Sequence, residues 1–285
     1  MSGPTGVMAV ILLEAAVGGS IVLWASGVWG AVRRGFFLLT GITVALCAAG
    51  AWALVRSEPA AAVPGGARVV LGLAVLAGLG SVWVLLLLAR LQRGAHVVGL
   101  AACAAGLAVL PLFAQLREDA VLAGVAELVL GALFLGSALY GLLLGHWYLV
   151  ERRLDHRHMV RGAWWYIAGV VGAIGAVALS AQNPAPRVTA TSFSPLLAVP
   201  GFTVLLASGL VAICAMIAGF VWKLAGEGGR SIQAATGYFY LAVILAFSAE
   251  LATKLSFFSL DLGTVGAGAR GGSLAAAPAP TATSV

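Results

Sequence analysis

Three glutamates and a lysine stand inside runs that hold no other Asp, Glu, Lys or Arg: Glu14 in VILLEAAVGG, Glu127 in VAELVLG, and Glu250 with Lys254 in SAELATKL. A charged side chain within an apolar run of membrane-crossing length costs about 2.5–3.5 kcal/mol to insert, so each is a candidate for chemistry. A carboxylate held there can accept a proton from a quinol or from a translocated ligand. Glu250 and Lys254 stand at i and i+4, which on a helix puts both on one face and allows an ion pair. The same four groups can equally bridge helices or snorkel to a surface, and the residue pattern alone leaves both readings open.

Histidine is the second candidate chemistry. The stretch GHWYLVERRLDHRH carries His146, His156 and His158, and His96 opens another apolar run. His96 and His146 fall at the same end of neighbouring antiparallel runs, and two histidines from two helices are the ligands of a six-coordinate b-type haem. His146 with His156 and His158 could instead chelate a transition metal at the rim. Against both stands an anchoring role. Trp147 and Tyr148 are residue types that favour the membrane interface, and Arg152, Arg153, Arg157 and Arg161 follow closely. Residues two apart on a helix, as His156 and His158 would be, do not share a face. Cys47, Cys103 and Cys214 all lie inside apolar runs without a Cys-x-x-Cys pattern, and read as small core residues.

The elements that must position these groups follow from composition. Of 285 residues 61% are hydrophobic and 9% charged, against about 25% charged in soluble domains, so the chain is a multi-pass membrane protein. A helix needs about 20 apolar residues to cross the bilayer. Eight runs qualify, at about 7–31, 36–55, 69–90, 95–115, 120–148, 163–181, 196–223 and 231–258. They are continuous rather than alternating, which predicts an all-α bundle and not a barrel. The 38 glycines suit close helix packing. Residues 1–258 make one transmembrane domain, because no connection is long enough for a core of its own. Residues 259–285 lack a periodic apolar face and read as a disordered tail.

Basic residues set the expected orientation. Ten of the sixteen, Arg33, Arg34, Arg90, Arg93, Arg152, Arg153, Arg157, Arg161, Lys223 and Arg230, lie in or beside the odd connections. The positive-inside rule then turns both termini outward and the odd connections to the cytoplasm. The net charge of +6 describes that rim and gives no ground for nucleic-acid binding. In this frame Glu14, Glu127 and Glu250 lie at one depth, roughly 10–12 Å below the outer edge. His146 and Glu127 are some 28 Å apart along one helix and cannot share a site.

A 4+4 duplication with parallel halves is a further expectation. Glu14 precedes Gly18, and Glu127 precedes Gly131, by the same four residues, and Arg34-Gly35-Phe36 matches Arg161-Gly162-Ala163-Trp164 at the head of the next run. Repeated Ala, Gly, Leu and Val offer a plainer reason for the likeness.

No nucleophile elbow, phosphate loop or His-Glu-x-x-His pattern is present, so a subunit is expected rather than a stand-alone enzyme. Between the ionisable ends the runs are Ala, Val, Leu and Gly, and Pro111 and Pro200 lie near run ends, unlike the broken helices of many transporters. The leading expectation is a membrane subunit of an electron-transfer complex, with the carboxylates at a quinone pocket, a b-type haem on His96 and His146, and protein partners on the basic rim. In helix number and direction the chain resembles the eight-helix anchors of the dimethyl sulfoxide and polysulfide reductase type. The alternative is a small-solute or ion transporter whose gate includes Glu14, Glu127 and Glu250.

Overall fold

Eight helices long and apolar enough to cross a membrane account for the regular structure of the computed structural model, which describes residues 4–57, 65–116, 120–151, 154–182 and 201–255. They are α1 (Pro4–Ala25), α2 (Arg34–Ser57), α3 (Gly66–Leu88), α4 (Gln92–Ala114), α5 (Val121–Val150), α6 (Arg157–Gln182), α7 (Phe202–Glu227) and α8 (Ser231–Leu255). Among the described residues there is no strand. In hydrocarbon each backbone N–H and C=O must be satisfied within its own segment, and uninterrupted helices do this.

Three boundaries depart from the apolar runs by six residues: the end of α1, the start of α6, and the start of α7, at Phe202 rather than 196. The first run extends to residue 31, but α1 stops at Ala25. Gly27 takes φ +66°, a left-handed conformation that ends the helix although Val28 and Trp29 continue the apolar pattern. The charged segment around His156 and His158 is not an extension of α5. α5 ends at Val150, and α6 starts at Arg157, earlier than residue 163. Asp155 Oδ1 accepts the Arg157 backbone N–H at 3.0 Å and so supplies an acceptor at the exposed helix start. The Pro-rich stretch 183–195 and the tail 259–285 lie outside the described residues.

α1, α2, α3 and α4 pack in sequence and α4 returns to α1; α5 to α8 pack in the same order and α8 returns to α5. α1 lies against α5 along the seam, with α4 beside α5 and α8 beside α1. α1 and α5 are therefore the interior helices: their apolar windows are 78% and 67% buried, against 28% for α3. Their contact depends on glycine. A Cβ on Gly18 would overlap the Ala132 carbonyl, and one on Gly136 would overlap the Gly18 backbone, so the two main chains touch without side chains between them. Leu46, Leu71, Leu85, Val97, Leu205 and Ile244 point outward as a lipid-facing surface requires.

Candidate functional site

The seam brings all four intramembrane charges together. Lys254 Nζ lies 3.1 Å from Glu14 Oε1 on α1, 3.3 Å from Glu127 Oε1 on α5 and 3.4 Å from Glu250 Oε2, one turn back on α8. The ammonium donates a hydrogen bond to Glu127. An ammonium has three donors, and here three carboxylates surround one. No side chain of the four is more than 3% exposed. Leu13, Val10, Val17, Leu128, Ala249 and Ala252, all buried, supply apolar neighbours in the sequence around them.

Position follows from the three helices. Glu14 lies midway along α1, Glu127 in the second turn of α5, and Glu250 and Lys254 in the last two turns of α8, so the cluster sits between the middle of the bundle and the end where α5 starts. The i,i+4 spacing sets Glu250 and Lys254 on one face, as expected from the sequence. Gly131, one turn beyond Glu127, makes the convergence sterically feasible. A Cβ there would stand 2.6 Å from Glu14 Oε1 and 2.9 Å from Glu250 Oε2. The sequence marks Gly131 only through its repeat spacing from Glu127. What it does is leave room for two carboxylates at the α1–α5–α8 junction.

Three carboxylates against one ammonium give a formal charge of −2 if all are ionised. That count is of the described residues, and burial of uncompensated charge costs several kcal/mol per ion. Glu14 Oε2 sharpens the point: it is buried and has no hydrogen-bond donor among the described residues. A carboxylate oxygen in that position is costly, whereas a protonated acid is much less so.

The histidines are placed differently. His96 packs edge-on against Trp24 and Trp29, at ring-centre distances of 4.4 and 4.9 Å, in an aromatic group that includes Phe37. His146 is exposed and faces α8, with Nδ1 3.4 Å from the Tyr240 hydroxyl. The two imidazoles thus stand in different surroundings, one in an aromatic group and the other beside Tyr240. His156 pairs with Asp155 at 3.4 Å, and among the described residues no three His, Cys, Asp or Glu side chains are disposed as a metal ligand set. The aromatic group of Trp24, Trp29, Phe37 and His96 is missed by the sequence, because Trp24 and His96 are 72 residues apart (96 − 24) and no pattern pairs them.

At the end of the bundle away from the glutamates, the charged residues bind the helices to one another. Arg33 pairs with Glu151 at 3.0 Å, and Trp147 Nε1 donates to the same carboxylate. Arg34 donates to the Leu87 carbonyl at 2.9 Å, where the end of α3 carries partial negative charge. The Tyr148 hydroxyl donates to the Asp155 carbonyl. Asp155 titrates below the usual aspartate range because the Arg157 backbone N–H, and then its guanidinium, hold the charged form. GHWYLVERRLDHRH is thus a joint between α5 and α6.

Family models, curated proteins and solved structures give no match to this chain. The likeness to reductase anchors therefore rests on helix number and direction alone.

Proposed function

We propose that this protein moves a small solute or ion across the membrane and that Glu14, Glu127, Glu250 and Lys254 form its charge-exchanging site. One observation carries the reading: among the described residues, a buried cluster at the junction of three helices sets three acids around one base. Buried acids that can take up and release an ion, inside helices that have to separate for it to enter or leave, meet a working requirement of coupled transport. Reading the same carboxylates as the wall of a quinone pocket, in an electron-transfer subunit, asks for a ring to lie where even a methyl on Gly131 meets two carboxylate oxygens. The tight packing favours a proton or small ion.

Two features support the transport reading. The pairings of α1–α4 recur in α5–α8, consistent with parallel repeats that could rock about the glycine-lined α1–α5 seam. By the basic-rim rule, the cluster lies nearer the outer face and both termini are outside. The test is reconstitution of the full chain in vesicles loaded with a pH-sensitive dye, challenged in turn with alkali cations, alkylammonium ions and small neutral solutes. A solute-dependent change of internal pH or charge, absent from Glu14→Gln, is expected. Silence of the wild-type protein to the whole panel would defeat the proposal.

A further inference from the structure

We infer that Arg33, Trp147 and Glu151 form a gate at the end of the α1–α5 seam away from the glutamates, so that the seam is shut on both sides of the Gly18 contact. This rests on reading the glutamate cluster as a transport site and supplies the barrier that such a site needs on its far side. The two halves, α1–α4 and α5–α8, meet at three levels. At one, Glu14 of α1 pairs with Lys254 of α8. At the next, Gly18 lies against the Ala132 carbonyl and the Gly136 backbone. At the third, Arg33 reaches from the first connection to Glu151 at 3.0 Å, and the Trp147 indole donates to the same carboxylate at 3.0 Å. Along α5, Gly136 stands roughly 13 Å from Glu127 and roughly 16 Å from Trp147 at 1.5 Å per residue. The glycine contact is thus a fulcrum with an ionic closure on either side.

Several features set the third contact apart from a fixed strut. Glu151 caps the C-terminal end of α5, the negative pole of the helix, where an acid does nothing for the helix itself. Its place is explained by the partners it meets across the seam. The pair is also able to part: the Arg33 side chain is 80% exposed and that of Glu151 19%, and an ion pair so open to water is weak. The segment carrying Arg33 bends at Gly27 and Gly30, with φ of +66° and +81°, and a Cβ on Gly30 would meet nothing within 4 Å. Arg33 therefore sits beyond a hinge with room to swing. Behind the ion pair is an aromatic plug. The Trp147 ring covers Gly35, where a Cβ would stand 2.4 Å from Cη2, and Phe36 meets Tyr140 edge-on at 6.0 Å. Deeper still lies Ser26, 3% exposed and beside Tyr140, at the turn that ends α1.

Thiol accessibility of the full chain in opened membranes tests the gate without need of a solute. In a background with Cys47, Cys103 and Cys214 replaced by Ala, Ser26→Cys should react slowly with a membrane-impermeant maleimide. Glu151→Gln and Arg33→Gln should each speed that reaction, by up to about fivefold for the loss of an exposed ion pair, because labelling follows the open fraction. Exchanging the charges, Arg33→Glu with Glu151→Arg, should return the rate toward that of the parent. A cysteine placed instead at Ala173, 1% exposed on α6, should stay slow in every variant. Equal rates in Glu151→Gln and its parent would overturn the inference, and so would a charge-exchanged variant that reacts as fast as the single ones. Matching acceleration at Ala173→Cys would mean general loosening of the bundle and would overturn it too. The two proposals fail separately. Solute transport in a protein whose Ser26→Cys rate ignores Glu151 would keep transport and remove the gate. A rate that obeys the charge exchange, in a protein silent to every solute, would keep the parting contact and remove the transport reading.

Discussion

Lys254 answers to three acids at once, which makes its charge worth more than that of any one glutamate. Lys254→Met keeps most of the stem and removes the ammonium, and breaking a buried ion pair in this way costs about 3–5 kcal/mol. The sign of its pH dependence follows from proton counting. Without that ammonium the folded variant carries protons on its carboxylates that the unfolded chain releases to water at neutral pH. Stability then falls as pH rises, and recovers in acid. Thermal unfolding in detergent over a pH series should show a deficit in Lys254→Met that narrows toward acid; a deficit independent of pH would contradict the charge-balance account. At this scale the sequence displays residue types, the shared depth of Glu14, Glu127 and Glu250, and the Glu250–Lys254 face. It does not display convergence. α1 is apolar on every side, so nothing in the pattern says toward which neighbour Glu14 turns.

Helices in lipid associate by fit, so the effect of adding a methyl depends on what it meets. Gly18→Ala pushes a Cβ into the Ala132 carbonyl of α5, and backbone cannot yield as a side chain can. A loss of more than about 3 kcal/mol is expected, since even ordinary overpacking costs 1–3 kcal/mol. The atoms nearest a Cβ at Gly131 are the ends of Glu14 and Glu250, which can swing aside. Gly131→Ala should fold while its cluster is disturbed, leaving exchange impaired. Gly219→Ala on α7 meets nothing within 4 Å and should be silent. Melting temperature and vesicle transport measured on all three would separate packing from function, and equal melting of Gly18→Ala and Gly219→Ala would refute the seam. A second expectation concerns the start of α6. Asp155 is held in its charged form by Arg157, so its contribution is present above the unfolded aspartate value and fades as pH falls through the lower folded one. Protection of the Arg157 amide, measured relative to its intrinsic exchange rate, should fall as pH drops through the aspartate range, and Asp155→Ala should lower it at neutral pH and make little difference in acid. Element boundaries were legible where a run ends in charge, as at Arg34, and illegible at Gly27, where a single positive φ outweighs continued apolarity.

On the scale of the molecule, the two ends differ in character, and the contacts show which connections share an end. Arg33 of the first connection pairs with Glu151 of the fifth, and the His156 ring lies beside Gly228 of the seventh. At the other end Gly65, before α3, lies near Leu116, after α4. The odd connections thus form one rim, as the alternation of eight spans in the sequence implies, and that rim carries most of the basic residues. If the rim is cytoplasmic, the glutamate cluster lies toward the outside and is loaded from there. The arrangement can be tested without knowing the solute. In a background with Cys47, Cys103 and Cys214 replaced by Ala, single cysteines at Ala67 and Gly226 report on opposite ends, both exposed. A membrane-impermeant maleimide added to intact cells should label Ala67→Cys and spare Gly226→Cys until the membrane is opened. The reverse pattern would turn the molecule over. The cluster would then be loaded from the cytoplasm.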